Sequence, residues 1–260
     1  FALSPPPQQC PACKSPQTLR FRGVGTEQVE RQLHGVIHDL RSLRLDADTT
    51  KHKGSHEQIL RQFGTGKADV LIGTQMIAKG LHFPAVTLVG ILQADSSLQV
   101  PDFRAAETTF QLLTQVAGRA GRGKLPGEVI IQTNMPDQPI LRLAAAQDYP
   151  AFYHEEIKSR EMFGFPPYSR LARVLCSGKE EGVVASACEE IAKALRQALP
   201  PEVEIFPALP CGRAKAKDHY RYHLLIKAPR PGLVQEALHS LQTPSRVQVT
   251  VDIDPTNTFF

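Results

Sequence analysis

Short apolar runs alternate with amphipathic helical patterns through the first half of this chain, and no other feature limits its fold as much. Strand-like runs fall at 19–22, 42–45, 70–73, 86–92 and 128–132, with helical spacing near 27–34, 55–63 and 104–117. Strands separated by helices pair in parallel through crossovers, so an open, mainly parallel α/β sheet is predicted. Ligands of such sheets gather beyond the carboxyl ends of the strands. Asp46, Asp48, Thr49, Thr74, Gln75 and Asp95 all follow strands there, which concentrates polar groups along one edge.

The texture changes after Gln132. A connector, Asn134-Met-Pro-Asp-Gln-Pro139, leads into a helical stretch ending near Met162, and Phe163-Gly-Phe-Pro-Pro-Tyr168 interrupts it. Strands are then predicted at 171–177, 203–206, 220–227 and 247–253, with helices at 181–199 and 232–241. The last strand alternates strictly: Val247, Val249, Val251 and Ile253 against Gln248, Thr250 and Asp252. This βαββαβ order matches the split unit of ferredoxin-like domains. At 260 residues the chain can hold two modest domains, each with its own core. The expected division is an irregular Pro-rich arm at 1–16, an α/β lobe at 17–135, a helical connector at 136–166 and the small α+β domain at 167–260.

A net charge of +4 permits a polyanionic partner without requiring one. No run of some 20 apolar residues could cross a bilayer, so a soluble chain without membrane association is expected. The chain opens at Phe1 with neither a basic opening nor an apolar signal core, an abrupt start that reads as that of an excised fragment. Five cysteines cannot all pair among themselves, which favours a reducing cytoplasm. Cys10-Pro-Ala-Cys13 has the spacing of a zinc knuckle, whose second cysteine pair is missing here. Cys176 and Cys188 lie on apolar stripes and read as small core residues.

The residues richest in chemistry are Gln115-Val-Ala-Gly-Arg-Ala-Gly-Arg122. Ala106, Phe110, Leu113 and Ala117 mark one face of a helix ending at Gly118, near which Gln115, Arg119 and Arg122 gather. A guanidinium stays charged and offers a fork of donors, which suits it to the charge on a transferring phosphoryl group. A basic helix end complementing the macrodipole is the plainer reading of any one arginine. Gly64-Thr-Gly-Lys67 is no phosphate loop, because Arg61 stands where the first glycine belongs and Ala68 replaces the magnesium-binding hydroxyl. It reads as a turn. No Asp-Glu box follows an apolar strand, so the chain carries half a nucleotide site.

The arginine string resembles motif VI of superfamily-two helicases. Asp69-Val-Leu-Ile-Gly-Thr-Gln-Met-Ile-Ala-Lys-Gly80, continuing Leu81-His-Phe-Pro-Ala-Val-Thr-Leu88, resembles motif V of the PriA replication-restart helicases. Gly23-Val-Gly-Thr-Glu27, Arg44-Leu-Asp-Ala-Asp-Thr49 and Pro101-Asp-Phe-Arg-Ala-Ala-Glu107 are similar to further strings of that family, in its order. The resemblance implies a RecA-like second motor lobe followed by a ferredoxin-like domain. It places Gln115 and Arg119 toward the phosphates of ATP with Mg, and Arg122 as arginine finger. Gly80 and His82 fall near the ribose, though His82 stands where many superfamily members carry aspartate, and a plain loop histidine is the alternative. Cys10 and Cys13 would be the last pair of a Zn-binding insertion, leaving half a site in this stretch.

In the same motif, Thr74, Gln75 and Lys79 would grip a DNA strand through its phosphates, although Lys79 reads equally as a solvated lysine. Asp46 and Asp48 read as caps of the following segment, with no catalytic role. In the small domain Arg213, Lys215, Tyr220, Arg221 and Tyr222 interleave cations with aromatics, as single-stranded DNA binders do. The alternative is a solvated loop entering an ordinary strand. The family resemblance implies a bacterial, cytoplasmic, nucleoid-associated protein. It would move 3′ to 5′ on forked and single-stranded DNA using ATP, with single-stranded DNA-binding protein and other primosome proteins as partners. The fragment alone is expected to be inactive. The rivals are a DNA-binding primosome-assembly scaffold without a working motor, and a RecG-like or transcription-repair motor.

Overall fold

The structure is a computed structural model, described here for residues 13–15, 25–46, 48–50, 54–74, 77, 83–118, 120, 126–239 and 246–259. It divides into two compact units, Phe1–Phe83 and Pro84–Phe260.

The first unit runs α1 (Thr26–Val36), β1 (Ser42–Leu45), α2 (Ser55–Gly64) and β2 (Val70–Gly73). β1 and β2 pair in parallel, with Leu45 opposite Gly73, and α2 forms the crossover. Gly64-Thr-Gly-Lys67 closes α2: Lys67 N–H donates to Gln62 O at 3.0 Å and Gly66 N–H to Phe63 O at 3.0 Å, with Gly66 at φ +74°. Those two bonds and the left-handed glycine make a Schellman stop, so the turn reading of this tetrapeptide stands. Gly73 is required by a close approach, since a Cβ there would lie 2.6 Å from Leu45 O.

The second unit begins with β3 (Leu88–Ile91), a 3₁₀ turn (Ala94–Ser97), α3 (Ala105–Ala117) and β4 (Glu128–Ile131). β3 and β4 are parallel neighbours. Helices α4 (Pro139–Ala145) and α5 (Tyr149–Met162) follow, the break between them carrying Gln147 at φ +54°. Phe110 and Leu113 of α3 pack with Ile140, Leu141 and Ala144 of α4 and Phe152 of α5. Phe110 stacks on Phe152 with ring centroids 4.2 Å apart.

The remaining elements are β5 (Arg170–Gly178), α6 (Glu181–Ala198), β6 (Glu204–Ile205), β7 (Leu209–Ala216), β8 (His219–Ala228), α7 (Pro231–His239) and β9 (Gln248–Ile253). They form an antiparallel sheet ordered β6-β8-β5-β9, with β7 also on β8. Val184, Cys188, Ile191, Ala192 and Leu195 of α6 meet Val174 and Cys176 of β5 and Leu224 and Ile226 of β8. Each of the larger apolar side chains buried there stabilises by about 1.5–3 kcal/mol.

The prediction of one open parallel sheet in the first half is met in part. The described residues are mixed α/β and their strands pair in parallel, but as two separate two-stranded sheets. Helical crossovers dictate the direction of pairing, while periodicity carries no information about which strands are neighbours. The predicted strand at 19–22 lies outside the described residues. Strand β7 falls outside the four strands predicted for the small domain, in the basic stretch whose alternative reading is a solvated loop; its pairing with β8 slips in register between Pro210 and Lys215.

Candidate nucleotide and nucleic-acid site

Asp46 and Thr74 follow the paired ends of β1 and β2, so both stand at the carboxyl edge of the parallel pair. The Asp46 carboxylate accepts Thr26 Oγ1–H at 2.6 Å, Asp48 N–H at 3.0 Å and Thr49 N–H at 2.9 Å. The Thr26 bond is the leading reason that its pKa falls to about 2. A buried carboxylate so surrounded stays ionised because every donor favours the charged form. Asp46 thereby closes the 46–50 turn and ties the start of α1 to the end of β1, agreeing with its reading as a cap. Thr74 is exposed, and its carbonyl accepts Ile77 N–H at 3.2 Å. Gln75, Lys79, Gly80 and His82 lie outside the described residues.

In the second unit α3 buries Thr109, Phe110 and Leu113 and turns Gln111 and Gln115 outward. It stops at Gly118, whose N–H donates to Thr114 O at 3.0 Å. Gln115 is therefore an exposed amide on the last turn; Arg119 and Arg122 lie outside the described residues. Asp95, beyond the end of β3, is buried and accepts Asn134 N–H at 3.1 Å beyond the end of β4. A hydrogen bond from Thr133 chiefly lowers its pKa. It joins the ends of two parallel strands, a role that explains its burial without chemistry.

The interleaved cations and aromatics form a hairpin. β7 and β8 meet at Lys217-Asp218, both at positive φ (48° and 63°), the backbone of a tight two-residue turn. Arg213 and Lys215 are exposed on β7, and Lys215 Nζ sits 4.8 Å above the Tyr220 ring. Tyr222 packs against the core and donates to Glu181 Oε1 at 3.3 Å. Arg221 alternates to the other face of β8 with His223. His223 closes this basic, aromatic stretch of sequence, which gives it no separate role: it is buried, its Nδ1 has no hydrogen-bond partner among the described residues, and burial followed by Arg173 and Arg221 lowers its pKa. Only the register Leu175↔His223, inside a five-stranded sheet, reveals this.

Cys13 is exposed and Cys10 lies outside the described residues. Among the described residues no group of three or more metal-ligating side chains comes together, so they do not by themselves fit a zinc ion. Cys176 and Cys188 are fully buried in the small core, as predicted, and Cys211 is buried on β7. No helix among the described residues is long and apolar enough to cross a membrane.

Residues 22–124 match the family model of the helicase conserved C-terminal domain, and residues 161–256 that of the primosomal protein N C-terminal domain. The chain is 48% identical over 258 residues to the replication restart protein PriA of Chlamydia pneumoniae, covering 98% of this chain and 34% of that protein. Its identity to the PriA of Bacillus subtilis is 44%, covering 96% and 32%. For the Haemophilus influenzae PriA the identity is 37%, covering 96% and 35%. The chain thus spans about a third of the length of the curated relatives it matches. With two domain models met in succession and relatives 37–48% identical over nearly the whole chain, the chain belongs to the PriA family.

Proposed function

We propose that this chain supplies the second motor lobe and the small DNA-binding domain of a replication-restart helicase. In the intact protein ATP with Mg would be hydrolysed to drive 3′-to-5′ movement at stalled forks, aiding reload of the replicative helicase. The observation that carries the reading is the sequence string Gln115–Arg122, which begins on the last turn of α3 and lies inside the region matched to a helicase carboxyl-terminal domain. Here Gln115 and Arg119 hold phosphates and Arg122 is the arginine finger; Gly80 and His82 border the ribose. Thr74, Gln75 and Lys79 grip the DNA backbone from the first unit.

The finer architecture belongs to the same proposal. The parallel pairs β1–β2 and β3–β4 support a RecA-like lobe, and the sheet order β6-β8-β5-β9 with two crossover helices supports a ferredoxin-like domain. On that domain Arg213, Lys215 and Arg221 attract the phosphates of forked or single-stranded DNA. Tyr220 and Tyr222 are assigned to base stacking, although Lys215 covers one ring and Glu181 holds the other. Single-stranded DNA-binding protein and primosome proteins are the expected partners, in the bacterial cytoplasm, and Cys10 and Cys13 complete a zinc site only with ligands from elsewhere.

The test is ATP turnover by the full-length protein, wild type against Arg122→Ala. A loss of about 10³–10⁵-fold in DNA-dependent kcat is expected for a finger arginine. Unchanged turnover in the variant would remove Arg122 from the reaction. Fork binding without any turnover in the wild type would leave the assembly scaffold instead.

A further inference from the structure

Pro101-Asp-Phe-Arg-Ala-Ala-Glu107 marks the family, yet none of its residues has a part in the function proposed above. We infer that Glu107 is a positioning residue which, through Arg160, fixes α3, and with it Gln115, to strand β8 of the small domain. The inference rests on the proposed motor.

Glu107, in the first turn of α3, accepts Arg104 Nη2–H at 2.8 Å, Arg160 Nη2–H at 2.8 Å and Gln111 Nε2–H at 3.1 Å. Arg160, on α5, also donates to Glu156 Oε1 at 2.8 Å and to Pro166 O at 3.3 Å. Its guanidinium lies 5.3 Å from the centre of the Phe103 ring, which stacks on Phe165 with centroids 5.6 Å apart. Phe165 in turn meets β8. Lys227 Nζ donates to Phe163 O at 2.8 Å and lies 5.4 Å from the Phe165 ring. An unbroken series of contacts therefore runs from α3 through α5 and the 163–168 turn to β8. A second tie joins the same motif to the end of the chain, where Thr258 N–H and Oγ1–H donate to Asp102 Oδ2 at 2.6 and 3.0 Å.

Such a network contributes orientation more than stability. Desolvating two charges offsets most of their attraction, and the Arg160 side chain is only 16% exposed. A guanidinium fork held by two carboxylates, a carbonyl and a ring face tolerates little rotation. α3 carries Gln115 at its other end, and β8 carries Tyr220 and Arg221 at its other end. The joint lies between them, so DNA held on β8 biases the setting of α3 through Glu107.

The experiment uses the full-length protein with Glu107→Gln, Arg160→Gln and the double variant. It reads kcat and KM for ATP with and without single-stranded DNA, DNA affinity, and DNA-induced protection of the α3 amides from hydrogen exchange. Expected is a DNA-stimulated kcat lowered about 5-fold or more in E107Q, the lower end of ordinary coupling between sites. KM for ATP and DNA affinity should be retained, α3 protection lost, and the double variant no worse than the singles. Full stimulation and full α3 protection in E107Q, with only the melting temperature lowered, would overturn the inference by making the joint purely structural. Should the wild type prove inactive toward ATP, the motor reading fails on its own, and exchange protection still decides the joint.

Discussion

Gly73 and Gly90 both sit in short parallel strands, and the same substitution should act on them in different ways. A methyl group at Gly73 would lie 2.6 Å from Leu45 O and 2.9 Å from Ile77 Cγ2. The first neighbour is backbone in the adjacent strand, following a fully buried leucine, so it cannot swing aside as a surface side chain can. Overpacking of this kind costs about 1–3 kcal/mol. At Gly90 nothing lies within 4 Å of the added carbon. Alanine there should be neutral or stabilising by up to about 1 kcal/mol, because it restricts the unfolded chain. The assay is amide hydrogen exchange at Leu71 and Ile72, backed by thermal melts of the 260-residue chain. For Gly73→Ala, exchange should quicken about 5- to 150-fold, the ratio that 1–3 kcal/mol represents. The melting temperature of the first unit should fall by about 4–8 °C per kcal/mol. Indistinguishable exchange in Gly73→Ala and Gly90→Ala would refute the packing argument.

Three further outcomes follow from the same geometry. His223 is buried with its pKa lowered, so between the ordinary histidine value and its own depressed one the unfolded chain binds the extra proton; stability falls as pH drops below about 6.5. His223→Phe should flatten that slope in a pH series of urea melts, and an unchanged slope would place the sensitivity elsewhere. Asp46 is depressed from 3.8 to about 2, so its contribution, on the order of 2 kcal/mol, is present above pH 4 and is lost as pH falls through 2. Thr26→Val removes the leading donor; it should cost about 1 kcal/mol at neutral pH and shrink that acid loss, as chemical denaturation at pH 7 and pH 3 can measure. Cys176, Cys188 and Cys211 are buried and Cys13 is exposed. A thiol reagent should therefore modify Cys13 in the native chain and the other three only as the small domain unfolds; prompt labelling of Cys188 in native conditions would contradict its place in the core.

Periodicity was enough to locate α3, which runs Ala105–Ala117 against a predicted 104–117, and the strands β1 and β2 at their expected residues. In these segments one local pattern and one packing face agree. It failed where tertiary pairing overrides local preference. β7 contains Pro210 and Gly212, and its turn places Lys217 and Asp218 at positive φ without the asparagine-glycine pair that usually announces such a hairpin. The site was legible in its parts and illegible in its joins. Asp46 was readable as a capping group, but the bond from Thr26, twenty residues away, is a product of α1 packing on β1. Glu107 and Arg160, 53 residues apart, could not be paired before α3 and α5 were seen side by side.

The hairpin strand β7 has one more consequence, for the chain's life among other proteins. In the small sheet β8 and β5 have partners on both sides, while β7 has β8 as its one strand partner among the described residues, its Gly212 N–H donating to Phe259 O at 2.9 Å. Open strand borders invite recruitment of a stranger's backbone, which is how sheets grow into aggregates. Pro210 lacks the amide such recruitment needs, the slipped register bends the strand, and Arg213 and Lys215 set like charge against any second copy approaching in the same way. Arg213 and Lys215, proposed to hold DNA, therefore have a second use whenever no DNA is present: they keep the sheet from extending beyond its own molecule.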